Sequence, residues 1–305
     1  MGSRCALVFP GQGSQRLGML ADVPEQDALS RLLDAAEALS DLDLRAIVTL
    51  GPETELADTR VAQPLLYLAD WAWGCALLER GLVPVGVAGH SLGELAALAI
   101  AGVYSVEAGL ELVVERSRLM AKAALLNPGT MAAVLGMAAN EIGAVVSQID
   151  GVWIANDNSP GQIVISGTLD AVGLASNALV DAGARKVVPL KVAGAFHSPL
   201  MESAGTAFEE LVRGAEFADA SVPVFQNTDP TAEIDGAAIR ERLIAQITSP
   251  VRWTETMFSL AAEGPVTLVE SGPGAVLTGL ARRVDGVTAI SAEAVGIESI
   301  LQEVS

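Results

Sequence analysis

Gly89-His-Ser-Leu-Gly93 has the G-x-S-x-G spacing of a nucleophile elbow. In such an elbow flanking glycines let a strand turn sharply into a helix, and the serine hydroxyl stands clear of the backbone. Five residues of this kind also recur by chance, so the surroundings carry the weight. Val83-Pro-Val-Gly-Val-Ala88 precedes the motif as a strand would, and Glu94-Leu-Ala-Ala-Leu98 continues it as a helix with no breaker. Ser91 is the candidate nucleophile. An activated serine needs a base, and histidine titrates nearest neutrality. The chain has two. His90 adjoins Ser91, where neighbouring side chains on a tight turn diverge, and is expected to pack or hydrogen-bond locally. By elimination His197, in the loop Val192-Ala-Gly-Ala-Phe-His-Ser-Pro-Leu-Met201, becomes the base, with a plain surface histidine as the alternative.

A serine attacking a thioester also needs donors for the tetrahedral oxyanion. The backbone N–H of Leu92, at the start of the helix, is a natural one, and that of Gln12, in the loop Pro10-Gly-Gln-Gly-Ser-Gln15, is a second. That loop otherwise reads as an ordinary strand-to-helix turn, and nothing in it matches the phosphate-cradling G-x-x-x-x-G-K-[ST] pattern. Arg116 and Arg118 stand on the first long helix after the elbow helix. An arginine fork can take a carboxylate in bidentate fashion, but spacing alone equally allows two surface residues.

The elements that must position these residues follow from periodicity. A strand is expected at 5–9, helices at 27–39 and 61–80, and a long helix at about 106–126. Short elements then alternate: strand 130–135, helix 140–149, strands 152–156 and 162–166, helix 168–182, strand 186–190. That order is the βαββαβ unit of ferredoxin-like folds. It begins and ends inside a larger α/β pattern, which predicts an inserted small lobe at 128–193 within a catalytic lobe formed by 1–127 and 194–305. The cleft between the lobes is the default ligand site.

Composition bounds the rest. The 305 residues are 51% hydrophobic and suit an α/β protein with a largely buried sheet. A net charge of −19 argues against nonspecific nucleic-acid binding and against anchoring on anionic lipid. The apolar run near the N-terminus is too short for a signal-peptide core, and His90, Ser91 and Glu94 interrupt the apolar stretch 83–103, so a cytoplasmic protein is expected. Cys5 and Cys75 lie far apart without a CxxC pattern and read as small buried hydrophobes.

Several blocks together resemble the malonyl-CoA:acyl-carrier-protein transacylases. They are Phe9-Pro-Gly-Gln-Gly-Ser-Gln15, Gly89-His-Ser-Leu-Gly-Glu94, Arg116 with Met120, Asn156-Asp-Asn-Ser-Pro-Gly-Gln162, Gly194-Ala-Phe-His-Ser198, Gln246 with Ser249-Pro-Val-Arg-Trp253, and Glu270-Ser-Gly-Pro-Gly274. They span nearly the whole chain in the family's order. The resemblance implies a large α/β-hydrolase-like lobe carrying a ferredoxin-like lobe, and a Ser-His dyad without an acidic third member. Ser91 would be the nucleophile and His197 the base, the latter oriented by the backbone carbonyl of Gln246. The amides of Gln12 and Leu92 would form the oxyanion hole. Arg116 would hold the free carboxylate of malonyl-CoA, and Phe196 would narrow the pocket. The partners implied are malonyl-CoA and an acyl carrier protein, with no metal or redox cofactor. Ser117 stands where the family commonly has glycine, and Gly194 where related polyketide acyltransferases often carry a bulkier residue.

The same motifs fit the malonyl transferase of a malonate decarboxylase or a free-standing polyketide acyltransferase, which differ in the accepting carrier protein. A serine esterase or thioesterase fits the elbow as well, but Arg116 and the lack of an acid partner between Ser91 and His197 weigh against it. A catalytically dead binding module is disfavoured by the presence of Ser91, His197 and Arg116 together.

Overall fold

Cys5–Phe9 forms strand β1 in a computed structural model that describes residues 4–304. Residues 1–3 and 305, the outer ends of the expected catalytic lobe, lie outside the described residues. Cys5, Leu7 and Phe9 pack into one apolar cluster and Ala6 and Val8 into another, so β1 is covered on both faces, as an unbroken apolar run requires.

The remaining strands are β2 (Val87–Gly89), β3 (Thr130–Leu135), β4 (Val152–Ser159), β5 (Gln162–Gly167), β6 (Lys186–Pro189), β7 (Val224–Phe225), β8 (Val251–Arg252), β9 (Val266–Glu270) and β10 (Val287–Ser291). They form two sheets. The first runs β10-β9-β1-β2-β7 and is parallel throughout, with β1 at its centre. In an open parallel sheet the loops at the carboxyl ends of neighbouring strands make the ligand crevice. Here those loops are Pro10–Gln15 after β1 and His90–Leu92 after β2.

The second sheet runs β6-β3-β5-β4-β8. Numbered from its own first strand, the βαββαβ segment pairs in the order 4-1-3-2 with every contact antiparallel, the ferredoxin-like arrangement. The helices Ala139–Val146 and Leu169–Asp181 pack on it around a separate core that includes Ile142, Ile165 and Leu179. The fifth strand was not foreseen. β8 comes from far beyond this segment and pairs in parallel with β4, Asn156 opposite Val251.

The expected elements fall close to their places. The long helix is Val106–Leu126, β3 matches its expected span, and β4 runs three residues further than expected. Cys5 is buried and Cys75 half-buried, both free. Burial raises the pKa of each thiol, which leaves them poor nucleophiles. Among the described residues no helix is long and apolar enough to cross a membrane.

Candidate active site

Ser91 follows β2 and precedes the helix Gly93–Ile100, and the turn between them is very tight. A methyl group added at Gly89 would lie 1.9 Å from the carbonyl carbon of Gly93, and one at Gly93 would lie 2.1 Å from the carbonyl oxygen of Phe9. Only glycine fits at either place. Four described non-glycine residues have positive φ: Glu25 and Asp41, which bracket one helix, and Ser91 (52°) and His197 (56°). Left-handed backbone is disfavoured for L-residues and tends to collect at functional sites.

The two residues meet. His197 Nε2 lies 2.8 Å from Ser91 Oγ, although 106 positions separate them. His197 Nδ1 lies 3.1 Å from the carbonyl oxygens of both Gln246 and Ser249. Carbonyls only accept, so Nδ1 carries the proton and Nε2 is left to accept from the serine hydroxyl. Burial, helped by the nearby Arg116 charge, pushes the His197 pKa down to about 3, so the resting imidazole is neutral.

Arg116 is fully buried and its Nη2 lies 3.3 Å from Ser91 Oγ. Its partners are neutral: Nη1 donates to Gln63 Oε1 at 2.7 Å, and Nη2 to Gln246 Oε1 at 2.9 Å. No carboxylate among the described residues forms an ion pair with it, and Nε has no partner. Burial lowers its pKa to about 10, which still leaves a cation at neutral pH. Arg118, by contrast, is exposed and paired with Glu115.

Ser91, His197, Arg116, Gln12, Leu92 and Phe196 all line one cavity of about 180 Å³. The amides of Gln12 and Leu92 have no acceptor among the hydrogen bonds of the described residues. A larger open groove, about 800 Å³, runs along residues 102–115 and 211–218 and contains neither histidine. Among the described residues no group of three or more His, Cys, Asp or Glu side chains is placed to hold a metal ion.

His90 packs, as expected, and is not the residue on Ser91 Oγ: its ring meets Trp253 edge-on at 5.7 Å, and its Nε2 also reaches 2.7 Å from Asn158 Oδ1 on β4, a long-range partner the sequence did not point to. It joins the elbow to the other sheet. The two unusual family positions are accommodated: Ser117 bonds its hydroxyl to the Val114 carbonyl at 2.7 Å, and a methyl group at Gly194 would lie 2.5 Å from Ala124 Cβ.

Four contributors were not singled out from the sequence: the side chains of Gln63, Glu94 and Asn227 and the carbonyl of Ser249. Gln63 and Glu94 each interrupt an apolar helical run, which was the available signal. Asn227 follows a two-residue strand and carries no such signal.

The chain matches the acyl transferase domain family model over residues 6–296. It is 41% identical over 288 residues to the malonyl CoA-acyl carrier protein transacylase of Bacillus subtilis, covering 93% of this chain and 91% of that protein. The crystal structure of the Synechocystis malonyl-CoA:ACP transacylase superposes with a TM-score of 0.86 at 39% identity, covering 94% of this chain and 96% of the other. A malonyl-transacylase solved in complex with a type II polyketide synthase acyl-carrier protein superposes at 0.90 with 38% identity, covering 97% and 100%.

Proposed function

Since this chain belongs to the acyl transferase domain family, we propose that it transfers a malonyl group from coenzyme A to the phosphopantetheine thiol of an acyl carrier protein through an ester on Ser91. One observation carries the substrate assignment: a buried guanidinium, 3.3 Å from the nucleophilic oxygen, that forms no salt bridge among the described residues and has only the Glu94 carboxylate, beyond salt-bridge distance, as an opposite charge. Glu94, pushed up to about 7 by its own burial, offsets that buried charge only in part, and a substrate with a free carboxylate close to its thioester carbon supplies a direct partner. Acetyl-CoA lacks it.

In the first half-reaction Ser91 Oγ bonds to the thioester carbon while its proton passes to His197 Nε2. The oxyanion lies against the N–H groups of Gln12 and Leu92. On collapse the C–S bond breaks and the imidazolium proton goes to the CoA sulfur. In the second half the carrier thiol gives its proton to His197, its sulfur bonds to the malonyl carbon, and the ester bond to Ser91 Oγ breaks as the proton returns. The carbonyls of Gln246 and Ser249 stabilise the transient imidazolium as they orient the ring, where a triad would use aspartate. The scheme calls on no metal or redox cofactor, and CoA enters only as part of a substrate. Phe196 walls the pocket beside the acyl chain. The same reading divides the chain into a catalytic lobe at 1–127 and 194–305 with an inserted lobe at 128–193, and puts the reaction in the cytoplasm.

Intact-protein mass spectrometry tests this directly. Malonyl-CoA should give a stable single malonyl adduct, discharged by a holo carrier protein but not by the apo form lacking phosphopantetheine. Equal labelling by acetyl-CoA would overturn the role given to Arg116. His197→Ala should slow acylation by a factor of about 10² or more with the fold retained. An unchanged rate would move the base elsewhere.

His90 is also buried, with its pKa lowered by that burial. The folded chain therefore takes up imidazole protons less readily than the unfolded chain. The stability contributed by the neutral rings is present above the unfolded value of 6.5 and is lost as pH falls toward the folded values. The His197 C2-proton resonance should not titrate between pH 5 and 8, and that of His90 should titrate below the ordinary imidazole value; a His197 midpoint near 6.5 would refute the neutral resting base.

Cations at the pocket rim suit a polyanionic donor and acceptor. Exposed Lys191 lies between the lining residues Leu190 and Val192, and exposed Arg283 reaches the lining residue Gln162 at 3.5 Å. Neither is in an ion pair among the described residues. Lys191→Glu with Arg283→Glu should raise the KM for malonyl-CoA or carrier protein by about 3- to 10-fold, less at high salt, with kcat nearly unchanged. A salt-independent effect would remove these residues from substrate capture.

A further inference from the structure

The left-handed backbone of Ser91 is disfavoured, and both of its backbone polar groups are gripped by side chains from far along the sequence. Gln246 Nε2 donates to the Ser91 carbonyl at 2.9 Å. On the other side, Asn227 spans the turn. Its Oδ1 accepts from Ser91 N–H at 2.7 Å, and its Nδ2 donates to the Gly89 carbonyl at 2.6 Å. Asn227 is itself fixed. Its backbone N–H donates to Glu94 Oε2 at 2.7 Å, its carbonyl accepts from the Arg252 N–H at 3.1 Å, and it is 1% exposed.

We propose that Asn227 is a positioning residue for the nucleophile: its carboxamide bridges Gly89 and Ser91 and keeps the elbow wound, so that Ser91 Oγ stays on His197 and Leu92 N–H stays aimed into the cavity. It makes no hydrogen bond to Ser91 Oγ and does not itself line the cavity, so it acts through the backbone of Ser91.

Among side chains uncharged at neutral pH, a primary carboxamide offers an acceptor and a donor on one carbon in this way. Alanine would leave the Ser91 N–H and the Gly89 carbonyl buried without partners. An ionised carboxylate would still accept from Ser91 but would set a second acceptor against the Gly89 carbonyl. In either case the turn gains by relaxing, and a displacement of even 1 Å moves Oγ and the Leu92 amide off their marks. The malonyl carboxylate is affected less, because Arg116 is held by Gln63 and Gln246 and not by Asn227. The loss therefore falls on the limiting rate of acylation and not on substrate affinity.

The inference rests on Ser91 being the nucleophile. The test measures single-turnover acylation by quenched mass spectrometry against malonyl-CoA concentration at pH 5 to 8, with melting curves at each pH, for the wild type, Asn227→Ala and Asn227→Asp. Asn227→Ala should lower the limiting rate by about 10- to 100-fold while the half-saturating concentration moves by less than about 2-fold. Asn227→Asp should approach the wild-type rate at low pH, where the protonated acid accepts from Ser91 and donates to Gly89 as the amide did. Its rate should then fall as pH rises, along a limb additional to any that Glu94, itself pushed up to about 7 by burial, gives the wild type. Glu94, the acid packed against it, favours retention of that proton, while the more distant Arg116 opposes it. A limiting rate within about 2-fold of wild type for Asn227→Ala, a loss seen only in affinity, or an Asn227→Asp profile parallel to the wild type would each overturn the proposal. If the alanine variant does not fold, the aspartate profile decides alone. Failure of wild-type protein to label on Ser91 would instead remove the nucleophile assignment, a result distinct from any of these.

Discussion

Ser91→Ala protein mixed with malonyl-CoA is expected to keep its unmodified mass, and transfer to the carrier thiol should fall by about 10⁴-fold or more. The size of the effect follows from the scheme. Without Oγ there is no atom to hold the malonyl group between donor and acceptor, and the double displacement cannot begin. The variant should fold, because the hydroxyl's contacts are His197 Nε2 and Arg116 Nη2, neither of which maintains the turn. A melting curve close to wild type together with a retained malonyl adduct would locate the nucleophile at another residue and end the double-displacement reading.

Arg116→Ala should reduce malonyl transfer by about 10²- to 10³-fold and leave acetyl transfer unchanged or raised, since a substrate carboxylate left unpaired in a dry pocket costs about 3–5 kcal/mol. Arg116→Lys should recover only part of the loss. One ammonium cannot reach Gln63, Gln246 and a carboxylate together, whereas the guanidinium fork spans all three. Arg116→Ala removes a buried cation that forms no salt bridge but leaves the side-chain oxygens of Gln63 and Gln246 without their donor, so its melting temperature should fall modestly while the fold is kept. Comparing kcat/KM for malonyl-, methylmalonyl- and acetyl-CoA across the three proteins checks this. A uniform drop for all three thioesters would mean that Arg116 supports the fold of the site and not its choice of substrate.

Much of this arrangement was legible in the residues. The elbow announced itself through glycines whose necessity is steric, and the alternation of short elements from Thr130 to Pro189 read directly as βαββαβ because each element keeps its own period. His197 could be reached by elimination in a chain with two histidines. What spacing could not give was burial. Arg116 and Arg118 are two positions apart and look alike in sequence, yet on a helix they face nearly opposite ways, one into the pocket and one into solvent. The hydrogen-bonded supports were harder still. Asn227 and the Ser249 carbonyl act through long-range contacts of 136 and 52 positions, and a two-residue strand leaves no periodic trace. The partner of His90 was out of reach for a related reason: Asn158 belongs to a sheet whose approach to the elbow depends on the fold as a whole.

The short strand β8 ties these observations together mechanically. It enters the antiparallel sheet two residues after Ser249, which with Gln246 supplies the acceptors for the imidazole, and its pairing with β4 runs beside Asn158, the partner of His90. A clamshell opening that pulled the ferredoxin-like sheet away would tear out this stitch and misalign the base at the same time. The pairing thus holds the two sheets together at the place where the base is oriented. Amide protons of Val251 and Arg252 should then exchange with solvent as slowly as those of β1, as one cooperative unit would dictate.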